Sequence, residues 1–457
     1  MKSISTNRVV VGMGGNQVAS FVGLNALGAL ADKLGLGEAL SSAIPWNGNG
    51  IPLHDRGKVL IHQMLVLAAG GEACSDIEYL RVEKDLFQDV CSDSTLYRTF
   101  TKSLDEDTLI EVSKAFALVR GKVWNKAELL KGKDPIYLDI DASLVEVHSE
   151  NKEETGPNYK KGFGFHPMFV TSPSTGEVLS SILRPGNATA NDASDQLSAV
   201  DLAINQLPEP ISFGHRLGDE VVPSRKLVVR ADSAGQVKEF LWGLNRRNIH
   251  FSVMARRTPQ VTEAVSMVAD KEKLWKKALN KDGKRREKSA ICEVTHLVDL
   301  KDFPPNTRLI IRREPLHKGG IEKSLFPHLE FRFVGFLTDQ KGDIKKLDLI
   351  QREHASVEDT IGRLKDTGLN KFPFNDFHAN CAWMKVVTFA HDLVRWFQLL
   401  CLERSLKSAE PKTLRFRLWQ MPARKVNSAR RIVLKLLSTW PDAEALLQAH
   451  QKIVLLT

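Results

Sequence analysis

Residues 136–148, IYLDIDASLVEVH, alternate apolar and polar side chains at their start, the period-two pattern of a β-strand. Tyr137, Asp139 and Asp141 therefore share one face, because side chains on a strand point to alternate sides. Two carboxylates on one face of an apolar strand are candidates for holding a ligand, and the spacing leaves Asp139 and Asp141 both open.

Working outward, residues 162–172 (GFGFHPMFVTS) and 177–186 (EVLSSILRPG) read as two further strands joined by the turn PSTG. A helix-like stretch at 191–207, a buried strand KLVVRAD (226–232), a helix at 233–247 and a strand HFSVMAR (250–256) follow. Three consecutive strands and then alternating helix and strand is the order of a ribonuclease-H-like α/β core. Asp232 closes the strand LVVRA, where a carboxylate at the C-terminal edge is placed for ligands rather than packing.

A third acid lies far downstream. SVEDTIGRLKDTG (356–368) reads as a helix opened by Ser356 and closed by Gly368, with Glu358, Ile361 and Lys365 on one face. Between the core and this helix lie KEKLWKKALNKDGKRREK (271–288), with nine Lys+Arg against three acids, and apparent strands at 290–300, 307–314 and 329–339. This is a β-rich insertion. Its Trp275 is either a base-stacking residue or a packed one.

Oxygen ligands alone, from Asp141, Asp232 and Glu358, suit Mg2+ or Mn2+, and two such ions suit phosphodiester chemistry. The charge agrees: 64 Lys+Arg against 55 Asp+Glu gives +9 over 457 residues, which favours a polyanionic partner. Five cysteines without a CxxC pair are expected to be reduced thiols and exclude a zinc-ribbon reading. Neither a signal peptide nor a membrane span is expected, since residues 380–400 carry Lys385, His391, Asp392 and Arg395.

At both ends the chain reads as helical. Residues 94–104, STLYRTFTKSL, put Tyr97, Arg98 and Lys102 on a short helix that is either a DNA-reading helix or a plain bundle helix. Residues 404–435 hold ten Lys+Arg and one acid with Phe416 and Trp419 interleaved, a backbone-tracking surface or a solvated helical face. The expected organisation is a helical DNA-binding region (1–130), a first core segment (131–256), the β-rich insertion (257–345), a last core segment (346–402) and a basic helical tail (403–457).

The passages LDIDASLVEVHS, YKKGFGFHPMFV, LRPGNATAND, VVRADSAG and ASVEDTIGRLKDTGLNKFPFNDFHANCAW, taken in order, resemble bacterial insertion-sequence transposases with an Asp-Asp-Glu site, most closely the insertion-sequence thirteen-eighty family. The resemblance implies that Asp141, rather than Asp139, joins Asp232 and Glu358 as the catalytic and metal-binding set. It implies cleavage and joining of double-stranded DNA at terminal inverted repeats and a target, by a cytoplasmic, nucleoid-associated homodimer on DNA. Related families carry Tyr-x2-Arg-x3-Glu-x6-Lys around the last acid. Here Glu358 and Lys365 keep their spacing, while Gln351 and His354 occupy the Tyr and Arg positions. The phosphate-binding candidates are Lys365, Arg352, His354, Arg363, Lys160, Lys161 and Arg98. A DNA-binding repressor derived from a transposase and a ribonuclease-H-like nuclease without strand joining are the rival readings.

Overall fold

Leu227–Ala231 is buried at every residue because parallel strands flank it on both sides, which is why it reads as a nearly continuous apolar run. The computed structural model describes residues 3–6, 9–12, 17–46, 48, 50–149, 151–158, 160–316, 331–429 and 431–456. It divides into two units: residues 120–362 with 374–384, and residues 1–119, 363–373 and 385–457.

The first of these is built on one nine-stranded sheet. Numbered in chain order within it, β1 is Ile136–Ala142, β2 Met168–Ser172, β3 Glu177–Ile182, β4 Leu227–Ala231 and β5 Ile249–Met254. The rest are β6 Lys276–Leu279, β7 Arg285–Glu293, β8 Arg308–Pro315 and β9 Phe331–Thr338. Their spatial order is β6-β7-β8-β9-β5-β4-β1-β2-β3. The central trio β1, β4 and β5 is parallel and every other pairing is antiparallel. Helices Ala193–Ile204 and Lys238–Asn245 make the connections into β4 and β5 that a parallel sheet requires.

The β-rich insertion is not a separate sheet. Its β9 pairs with β5 through Ser252↔Thr338, Val253↔Leu337 and Met254↔Phe336, so the core sheet simply continues into it. Ala278, Ile291, Ile310 and Phe336 from these strands bury Ile344 and Leu347 of the helix Ile344–Arg352. Asp343 starts that helix by accepting from the Lys345 N–H at 3.0 Å. The insertion thereby seats the segment leading to Glu358. The start of the strand expected at 329–339 lies outside the described residues.

Two expected strands are broken. IYLDIDASLVEVH stops at Ala142 and resumes as Val145–Glu146; GFGFHPMFVTS splits at Pro167, which has no N–H to give to a ladder. Phe163–Phe165 pairs instead with Val145–Glu146 and Gly156–Pro157. Gly164 permits this: a Cβ there would lie 2.1 Å from the Val145 carbonyl oxygen.

The other unit is largely helical, with Val22–Lys33, Leu36–Ala43 and Arg56–Ala69 among its helices. Phe116 stacks on Phe389 at 4.0 Å and on Trp396 at 4.6 Å, a large aromatic centre. The tail is not all helix as expected: Ala423–Ser428 and Arg431–Leu436 form a hairpin, joined at its base by Val18–Ala19, before the helix Ala443–Leu455. The β-branched Ile432 and Val433 favour strand there. Two short paired strands, Ser3–Thr6 and Val9–Gly12, also interrupt the region expected to be helical at the start. Among the described residues no helix is long and apolar enough to cross a membrane.

Candidate functional site

The register of β1 and β4 brings the first two acids together. Arg230 pairs with Asp139 and Ala231 with Ile140, so the next residues along, Asp232 and Asp141, come level at the C-terminal ends of two parallel strands. Asp232 caps the turn Ser233–Gly235 by accepting from the Ala234 N–H at 2.8 Å. Gly235 keeps that turn tight, since a Cβ would lie 2.5 Å from the Ala231 Cβ. Asp141 accepts from the Ala142 N–H at 2.8 Å. Each carboxylate thus commits Oδ1 to its own backbone.

Asp139 is otherwise engaged. Arg230 donates to its two oxygens at 2.7 and 2.8 Å, His354 Nδ1 lies 3.0 Å away, and Ser356 Oγ approaches at 3.4 Å. Arg230 and Asp139 are both buried, 1% and 0% exposed. A guanidinium in the middle of an apolar strand needs such a partner. That was the available signal for this pair: Arg230 interrupts LVVRA, and Asp139 is the acid on the neighbouring strand that meets it.

Glu358 stands on the helix Ser356–Leu364, whose Val357, Ile361 and Leu364 are buried while Glu358 is exposed. Its charge reaches Asp141. Burial pushes the Asp141 carboxyl up to about 6 against the pull of the Ala142 N–H, and the charges of Asp232 and Glu358 raise it further while His354 opposes them. Three oxygen-donor acids with mutual repulsion are the donor set and charge balance that a hard divalent cation answers. The fit is one of chemistry. Among the described residues no three His, Cys, Asp or Glu side chains are gathered closely enough to hold an ion as they stand. Asp232 borders a cavity of about 480 Å³ with Arg256, Arg257 and Phe333, whereas Glu358 borders another of about 690 Å³ with Tyr137, Arg225 and Lys281.

Several expected phosphate contacts have other partners. His354 is buried against Asp139, and Gln351 donates to the Ala231 carbonyl at 3.3 Å, so both residues at the departures from the family signature face inward. Arg352 bonds to Asp348 at 3.1 Å and to the Leu279 carbonyl. Arg363 donates to the carbonyls of Ala409 at 2.9 Å and Ser408 at 3.1 Å and to Glu410 at 2.6 Å. Trp275 is buried, donates to the Val268 carbonyl at 2.9 Å and lies under Arg313 at 4.6 Å, the packed one of its two readings.

Lys160 and Lys161 are exposed on the loop before Phe163–Phe165; the neighbouring Tyr159 lies outside the described residues. Arg98 is exposed at the end of the helix Asp93–Arg98, which Ser92 caps. Lys365 follows the Glu358 helix and belongs, with Arg363, to the other unit.

Asp141 and Asp232 thus stand level at the C-terminal edge of a parallel strand pair, with Glu358 on a helix further along the chain. The chain belongs to the family described as transposase DDE domain, group 1, whose profile matches residues 1–457. No curated protein matches it. Among solved structures it is similar to a cryo-EM structure of the piggyBac transposase synaptic complex with hairpin DNA. The identity is 11% over 87% of this chain and 80% of that one, with a TM-score of 0.41.

Proposed function

We propose that this chain is a cut-and-paste DNA transposase of the insertion-sequence thirteen-eighty kind, with a ribonuclease-H-like core. It binds the terminal inverted repeats of its own element, cleaves them and joins them to target DNA, two copies pairing the two ends. The observation that carries this reading is the level placement of Asp232 and Asp141 at the C-terminal ends of adjacent parallel strands.

In the proposed reaction water attacks phosphorus and the 3′ oxygen leaves as a hydroxyl; that hydroxyl then attacks a target phosphodiester, one P–O bond forming as another breaks. Mg2+ or Mn2+ ions held by Asp141, Asp232 and Glu358 would neutralise the phosphate and activate the attacking oxygen. Asp139, Arg230 and His354 act as positioning residues that fix β1 against β4. Lys365, Lys160, Lys161 and Arg98 are the proposed phosphate contacts, and the N-terminal helices with the basic tail supply end recognition.

The test is Mg2+-dependent cleavage and joining of DNA carrying the inverted repeats that flank the coding region, comparing the native protein with Asp232→Ala. Joined products from the native protein alone support the proposal. Cleavage without joining favours a nuclease, and binding without cleavage by either protein favours a repressor.

A further inference from the structure

The hairpin Ala423–Ser428/Arg431–Leu436 carries an asymmetry of charge that its own fold does not resolve. Its register pairs Arg424 with Lys435, Val426 with Val433 and Ser428 with Arg431, so these six side chains share one face. Arg424, Arg431 and Lys435 are exposed, that face holds no acid, and among the described residues none of the three makes an ion pair. The opposite face differs: its Lys425 meets Asp85 at 3.1 Å and Glu83 at 3.6 Å.

Two features of this face favour an anionic partner. Like charges directly opposite each other on an antiparallel pair are destabilising, and Arg424 stands opposite Lys435. Among the described residues Val18–Ala19 pairs with Ala423 and Arg424 and Gln17 accepts from the Lys425 N–H at 2.6 Å, leaving the rest as a two-stranded ribbon, with Ile432 42% and Val433 40% exposed on its two faces. Such ribbons are marginal in water alone.

We infer that this ribbon is a docking surface for duplex DNA, its charged face laid against the major groove. Arg431 and Lys435 lie four positions apart, about 13 Å along a strand. The major groove is about 12 Å wide and admits a two-stranded ribbon. Cations at the two ends of the face thus reach the phosphates on either side, and Val426 and Val433 face the groove between them. The inference rests on the DNA-processing reading above and assigns part of its DNA contact to one element.

The experiment measures binding of the full chain to a labelled duplex of about thirty base pairs of arbitrary sequence, over a range of salt. The combined variant Arg424→Gln, Arg431→Gln, Lys435→Gln is compared with the charge-matched Lys131→Gln, Lys284→Gln, Lys301→Gln, which removes exposed lysines already paired with carboxylates. The ribbon variant is expected to lose about tenfold or more in affinity near 0.1 M salt, with a log–log salt slope shallower by roughly 2 to 3, one unit for each phosphate contact. Its melting temperature should not fall, since the opposed charges are gone, and a merely structural role for these residues would lower it. Equal losses in both variants, or native-like binding by the ribbon variant, overturn the inference alone. A native protein that binds no duplex overturns it together with the transposase reading.

Discussion

Arg230 holds Asp139 in a two-pronged, fully buried ion pair that sits immediately beneath Asp232 and Asp141. The same face of β1 therefore carries one acid that braces the sheet and one at its edge, and the two respond differently to substitution.

Asp139→Ala leaves the Arg230 guanidinium buried and alone, at a cost of about 3–5 kcal/mol. Asp141→Ala removes a carboxyl that burial already disfavours, so stability should hold or rise while cleavage is lost. Denaturant unfolding of both variants beside a cleavage assay separates these roles. An Asp139→Ala protein as stable as the native one would sink the brace.

Gly235→Ala should disturb the turn that aims Asp232. The added Cβ meets the Ala231 Cβ at 2.5 Å, an overpacking expected to cost about 1–3 kcal/mol. Activity per folded molecule should fall with it, whereas a change confined to stability would detach the turn from the site.

Trp275→Ala should behave as a core deletion, costing about 3–5 kcal/mol, with DNA affinity per folded molecule unchanged. The reverse result, unaltered unfolding with weakened DNA binding, would restore the base-stacking reading.

His62, on the helix Arg56–Ala69, provides a second pH dependence. Burial, helped by the Lys58 charge, lowers its pKa from 6.5 to about 4. Between those values the unfolded chain takes up a proton that the folded chain refuses. Stability therefore falls as pH drops through this window, by up to roughly 3 kcal/mol. His62→Gln should flatten the acid side of the unfolding profile; an unchanged slope from about pH 6.5 to 4 would show that His62 does not set it.

The succession of strands and helices along the core, the helix around Glu358 and the position of Asp232 at a strand end were legible from local period and turn chemistry, though two of the strands break where the period ran on. What the period could not supply was partnership. It placed Tyr137, Asp139 and Asp141 on one face without saying that Arg230, 91 residues away, claims Asp139. Likewise Gln351 and His354 stood out as departures from a signature, and only the fold reveals that they bond inward to Ala231 and Asp139. The helical expectation for the tail missed the hairpin because basic residues dominate its composition while Ile432 and Val433 set its backbone there.

The pairing of β9 with β5 makes the insertion indispensable to synthesis as well as to shape. A nascent chain that has emerged only through Met254 presents β5, a strand with Phe251 and Val253 wholly buried in the finished protein, as an open edge. Open apolar edges recruit other chains. Until Phe331–Thr338 leaves the ribosome and closes that edge, the half-made sheet is exposed to aggregation, and Glu358 is made only afterwards. Deleting the insertion is therefore expected to give an aggregating fragment rather than a smaller folded protein.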